Sequence, residues 1–201
     1  MENLLLILID RLCGAVVSLP LVLIYIFIFD RQRAKGKWLW MTLLVLYLNA
    51  MYIVIGVPWA RYICWDPTIN LVPFQDLSRS NLLGMALNVV MFAPLGFLLP
   101  AYFDRYRHWG RTLLAGIATS LTVELIQLFT LRATDVDDLL MNTLGTLVGY
   151  LAAKLIFRHR SAVYRGRKDW LELVVINVIV LLVIVFFRYP LMEAILNLLR
   201  A

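Results

Sequence analysis

Four carboxylates, Glu124, Asp135, Asp137 and Asp138, stand close together in the chain beside Gln127, Arg132 and Asn142. Acids in this number can act as general acid and base or hold a hard cation through oxygen, in which case magnesium, calcium or manganese suits them better than zinc. Together with amides they can also bind hydroxyl and amide groups, while an arginine pairs with phosphate or carboxylate. The four acids are therefore the catalytic candidates. No resident cofactor or metal set is expected, because His108 and His159 lie in basic connections away from the acids. No serine or cysteine nucleophile elbow and no phosphate-cradling loop is present either.

These groups sit in a chain built for hydrocarbon. Of 201 residues, 62% are hydrophobic and 16% charged, with a mean hydropathy of +0.82, against about 25% charged in ordinary soluble domains. Apolar runs near 12–29, 38–57, 82–101, 112–131, 139–157 and 170–187 each approach the length that crosses about 30 Å of hydrocarbon. The sequence predicts an all-α integral membrane protein: one domain over 1–201, a bundle of about six transmembrane helices, the last of them an extra C-terminal helix at 170–187. Residues 1–11 read as an interfacial lead-in, since Asp10 and Arg11 interrupt the apolar run.

Basic residues set the orientation. Of the 19 Lys and Arg, most fall in DRQRAKGK, in DRYRHWGR and between Lys154 and Lys168. Those stretches are expected in the cytoplasm and both termini outside. The net charge of +6 is then a topology signal beside anionic lipid, and no base-stacking platform points to nucleic acid.

Helical spacing groups the polar residues. Asp135, Asp138, Asn142, Gly145 and Gly149 recur at three and four residues on the fifth span, and Ser120, Glu124 and Gln127 do so on the fourth. Asn81, Gly84 and Asn88 repeat the pattern on the third, ahead of an expected break at Pro94-x-Gly96. Unpaired polar groups facing lipid each cost several kcal/mol, so the three seams are expected to share one polar cleft open to the outer leaflet. Arg132 is expected within reach of the acids, about 12 Å from Glu124 by helical rise. A plainer reading stays open: Asp135 or Thr134 caps the fifth helix, Asp137 and Asp138 favour its dipole, and Asn88 and Gln127 are interhelical glue.

INLVPF at 69–74, NVVMFAPLGFLLP at 88–100 and ELIQLFTLRATDVDDLLMNTLGTLVGY at 124–150 resemble the pattern of the VanZ-like membrane family over about 38–157. The resemblance implies a bacterial cell-membrane protein linked to resistance to the glycopeptide teicoplanin. It adds Asn70 to the binding candidates Asn88, Glu124, Gln127, Arg132, Asp135, Asp138 and Asn142. Three functions fit this set. The first is binding of a membrane lipid, a lipid-linked cell-wall precursor or a lipoglycopeptide; the second is an enzyme acting on a lipid-linked envelope substrate; the third is a proton-coupled transporter carried by Glu124.

Overall fold

The computed structural model describes residues 2–29, 37–65, 68–130, 134–158 and 169–200. Among them are seven helices: α1 (Glu2–Phe29), α2 (Lys37–Ile55), α3 (Arg79–Tyr102), α4 (Trp109–Gln127), α5 (Val136–Ile156), α6 (Asp169–Phe186) and α7 (Arg188–Arg200). Two short strands, β1 (Ile69–Asn70) and β2 (Thr134–Asp135), pair in parallel, with Ile69 opposite Thr134 and Asn70 opposite Asp135. The fold is all-helical apart from this pair. Three helices are long and apolar enough to cross a membrane, α2 from Trp38, α3 and α5, or four if α6 and α7 form one span bent by 50°.

The chain divides into two compact units. One contains α3, α4 and α5 with both strands. Apolar side chains that point outward on α5, Leu140, Leu144, Val148, Leu151 and Leu155, recur every three or four residues, and Asn142, Gly145, Thr146, Gly149 and Ala153 are buried behind them. Such a stripe is costly in water and costs nothing against lipid tails. The helix is therefore inverted relative to a soluble one, with its small and polar residues inside.

Glycine decides how closely these helices approach. A methyl group at Gly145 would fall on the Val89 carbonyl, one at Gly149 on the Ala93 carbonyl, and one at Gly96 on the Thr146 carbonyl. From Asn88 against Asp138, through Val89 against Gly145, to Ala93 against Gly149 the partner positions rise together, so α3 and α5 run parallel, backbone against backbone. A methyl group at Gly116 would strike the Thr146 side chain, and Ser120 meets Asn142, so the pairings run in opposite directions and α4 lies antiparallel to α5. Thr146 in turn donates to the Asn142 carbonyl at 2.9 Å. The expected break at Pro94 does not occur. Pro94 and Pro100 both lie inside a continuous α3, because the tight α5 contact holds the helix on either side of the missing N–H bonds. Gly84 meets nothing within 4 Å and Asn81 donates to the Asp76 carbonyl at 2.6 Å. The expected third polar seam is thus reduced to Asn88.

The other unit gathers α1, most of α2, α6 and α7 around Val22, Leu44, Leu48, Ile176, Val180 and Ile184. Asn49 donates to Ser18 at 2.7 Å and Tyr52 to Asn177 at 2.6 Å, both between helices. α1 is continuous from Glu2 through Asp10 and Arg11, while its apolar stretch runs from Cys13 to Ile28, so the two charges interrupt the apolar run and not the helix. A helix satisfies its own backbone whatever side chains it carries, so two charges near one end do not break it.

Candidate functional site

Glu124 lies in the last turn of α4, nearer the helix end than the sequence suggests, because α4 stops at Gln127 rather than near 131. The 12 Å helical distance to Arg132 therefore does not apply, and Arg132 itself falls outside the described residues. The Glu124 carbonyl accepts from Thr134 Oγ1 at 3.2 Å, and its carboxylate Oε2 accepts from the Asp135 backbone N–H at 3.3 Å. The side chain thereby joins the end of α4 to the start of α5.

Each aspartate has a different set of partners. Asp135 is the N-cap of α5, with Oδ1 accepting from the Asp137 N–H at 2.9 Å and Oδ2 accepting from Asn70 Nδ2 at 3.0 Å. Asn70 also accepts from the Val72 N–H at 3.1 Å, so the amide implied as a ligand by the family resemblance is occupied at both ends in holding the 69–72 turn. Asp137 is buried, and both of its oxygens accept from the Phe74 N–H, at 2.9 and 3.0 Å. Phe74 has φ of 57°, a left-handed conformation that costs a non-glycine residue about 1–2 kcal/mol. A charge-assisted hydrogen bond, worth about 1.5–3 kcal/mol, offsets it. Asp138 accepts from Asn88 Nδ2 at 2.6 Å, linking α5 to α3.

Asp137 is thus held by the Phe74 turn and not by the helix dipole alone, and the plainer reading accounts for Asp135 as the cap. It leaves Glu124, Gln127 and Asn142, whose exposures are 6, 6 and 3%. Asn142 Nδ2 donates to Ser120 Oγ at 2.9 Å, as two facing polar seams require. Yet Glu124 Oε1, Gln127 Oε1 and Asn142 Oδ1 are all buried and have no hydrogen-bond partner among the described residues. Orphaned buried acceptors normally cost about 1–3 kcal/mol each, so three on facing seams of α4 and α5 mark a place where donors belong. Glu124 also feels the charges of Asp138 and Asp135. Among the described residues, no three His, Cys, Asp or Glu side chains are disposed to hold a metal ion.

The structure brings Glu124, Asp135, Asp138, Asn88, Asn142 and, through Asp135, Asn70 to one end of this unit. Gln127 lies one turn beyond Glu124 on α4. Two features escaped sequence reasoning. One is the left-handed Phe74, for which only the family pattern around Pro73 gave a signal. The other is the α3 cap, where Ser78 accepts from the Asn81 N–H at 3.4 Å and Asp76 accepts from the Ser78 N–H at 2.8 Å; the run DLSRSN could have announced it.

The VanZ/LLP1 family profile matches residues 16–158, more than half of the chain. The chain belongs to the VanZ/LLP1 family. It is similar to Protein VanZ of Enterococcus faecium, at 31% identity over 123 residues that cover 61% of this chain and 71% of that protein. No solved structure matches it. The VanZ/LLP1 match begins inside α1, further toward the N-terminus than the resemblance over 38–157 suggested, and it stops before α6. It includes every residue of the acid and amide seam.

The Asp135 geometry gives a sharp prediction for this VanZ/LLP1 chain. Asp135→Asn keeps a cap, since asparagine caps about as well as aspartate, but sets an amide N–H₂ against the donor of Asn70. The single variant should lose thermal stability by an amount matching about 1 kcal/mol. Exchanging the two side chains, Asn70→Asp with Asp135→Asn, restores one donor and one acceptor and should recover most of the loss. A melting-curve series on the purified protein checks this; equal damage in the exchanged pair would show that the contact is not what Asp135 supplies.

Proposed function

We propose that the facing seams of α4 and α5 bind the polar head of an amphiphile at the outer leaflet: a membrane lipid, a lipid-linked cell-wall precursor or a lipoglycopeptide. The observation that carries this reading is the trio of orphaned acceptors, Glu124 Oε1, Gln127 Oε1 and Asn142 Oδ1. Sugar hydroxyls, peptide amides and ammonium groups are the donors that complement such a set, while an acyl chain lies along the apolar outer stripe of α5. Membership of the VanZ/LLP1 family supports an association with glycopeptide tolerance, and teicoplanin is itself acylated. In the arrangement we infer, six segments cross the bacterial membrane and both termini are extracytoplasmic. The basic connections then lie inside, and the end bearing Asp135 and Asp138 faces out.

Labelling tests both halves of this reading. In a background with Cys13→Ala and Cys64→Ala, single cysteines are introduced at Thr134, His108 and Val163. An impermeant maleimide added to intact cells should modify only the first, and added teicoplanin should slow that reaction. Labelling at position 163 from outside would overturn the orientation, and an unchanged rate at position 134 would argue against binding of the lipoglycopeptide there.

A further inference from the structure

At the other end of α5, about 30 Å from Asp135 by helical rise, a cleft of about 190 Å³ is lined by Pro100, Arg107, Tyr150, Ala153, Lys154, Phe157 and Arg158. We propose that this cleft binds the phosphate of an acidic phospholipid headgroup, a second site distinct from the acid and amide seam. Arg107, Lys154 on α5 and Arg158 just past its end bring three cationic side chains to one small volume. Asp104 stands 4.0 Å from Arg107 Nε, at the edge of this group. The wall that carries Arg107, the turn Asp104–Arg107, is fixed in place: Tyr150 Oη donates to the Arg107 carbonyl at 2.9 Å, and Thr112 Oγ1 donates to the Tyr106 carbonyl. Arg107 is thus mounted on a built wall that faces Lys154 and Arg158 across the cleft.

The rest of the lining selects the source of the phosphate. Phe157 packs against Phe97 at 5.4 Å and edge-on against Trp40 at 5.8 Å between ring centroids, giving an aromatic floor beneath the charges. Beside it Leu151, Leu155 and Ile156 project outward from α5, Leu155 with 78% exposure. A free phosphate ester uses only the cations; an acidic phospholipid uses the cations for its head and this apolar strip for its chains. Basic pockets at the ends of membrane helices are suited to such heads. A plain surface role for Lys154 and Arg158, offsetting the negative end of the α5 dipole, needs neither the cleft nor Arg107.

The test uses the full chain in phosphatidylcholine nanodiscs, with about one-fifth of the lipid replaced by phosphatidylglycerol, and reads the retained acidic lipid by native mass spectrometry. The double variant Lys154→Gln with Arg158→Gln changes exposed side chains only, and Arg111→Gln, exposed but outside the lining, is the control. Phosphatidylglycerol retention should fall on the order of tenfold in the double variant and stay unchanged in the control. Single Arg158→Gln should lie between them. Equal retention in the double variant, or equal loss in the control, would overturn the site and leave diffuse surface charge. Displacement of the lipid by millimolar inorganic phosphate would overturn the headgroup assignment in favour of a soluble phosphate ester.

Discussion

Gly149→Leu should remove nearly all of the protein from the membrane, with abundance falling about tenfold or more, because overpacking of a helix contact this close leaves no rotamer that fits. Even a methyl group at Gly149 meets the Ala93 carbonyl and lies 2.9 Å from the Phe97 nitrogen. Backbone cannot swing aside as a flexible side chain can, so α3 and α5 would have to separate along their length. Gly145→Leu should behave in the same way through Val89. Gly84→Ala is the control on α3 itself, since that glycine faces open space and alanine is the better helix former. Immunoblots of the membrane fraction decide the matter; normal accumulation of Gly149→Leu would mean that the helices are not held at backbone contact.

That glycine contact was legible in the sequence, and its partner was not. Gly145 and Gly149 at a spacing of four announce a close approach, but nothing in one sequence says that it is made by α3 in parallel rather than by α4. The pairing of Asn142 with Ser120 was similarly half legible: two polar seams in apolar helices must face protein, while their register depends on where each helix begins. α5 starts at Val136 rather than near 139, and α4 ends at Gln127 rather than near 131. These shifts brought Glu124 close to the start of α5. The roles of Asp135, Asp137 and Asp138 were beyond sequence reasoning for a different reason. Consecutive acids in a first helical turn look alike until the chain returning through INLVPF presents an amide N–H at Phe74 and a side-chain donor at Asn70. Asp137, a catalytic candidate by composition, is an anchor for that loop. Gly84 and Asn81 misled because spacing alone assigned them to a shared cleft, whereas Asn81 belongs to the cap of its own helix.

The second large effect concerns activity with the fold intact. Glu124→Gln and Asp138→Asn are close to isosteric, and each can keep the hydrogen bond that the structure shows. A glutamine Oε1 still accepts from the Asp135 N–H, and an asparagine Oδ1 still accepts from Asn88 Nδ2. Both changes also remove an acid from an apolar setting, where ionised groups are costly. The double variant should therefore accumulate at near-normal levels. What it loses is the pair of carboxyl groups at the end of the seam where three buried acceptors have no partner among the described residues. If those acids recognise the head of an amphiphile, removing both should abolish most of the protection while Asp135→Asn with Asn70→Asp leaves it in place.

The most direct measurement is teicoplanin tolerance of a sensitive bacterial host expressing each variant, normalised to the amount of protein in the membrane. Glu124→Gln with Asp138→Asn should accumulate near the wild-type level and confer little tolerance. Full normalised tolerance in that double variant would contradict this, and would leave the acids of α4 and α5 as caps and anchors alone.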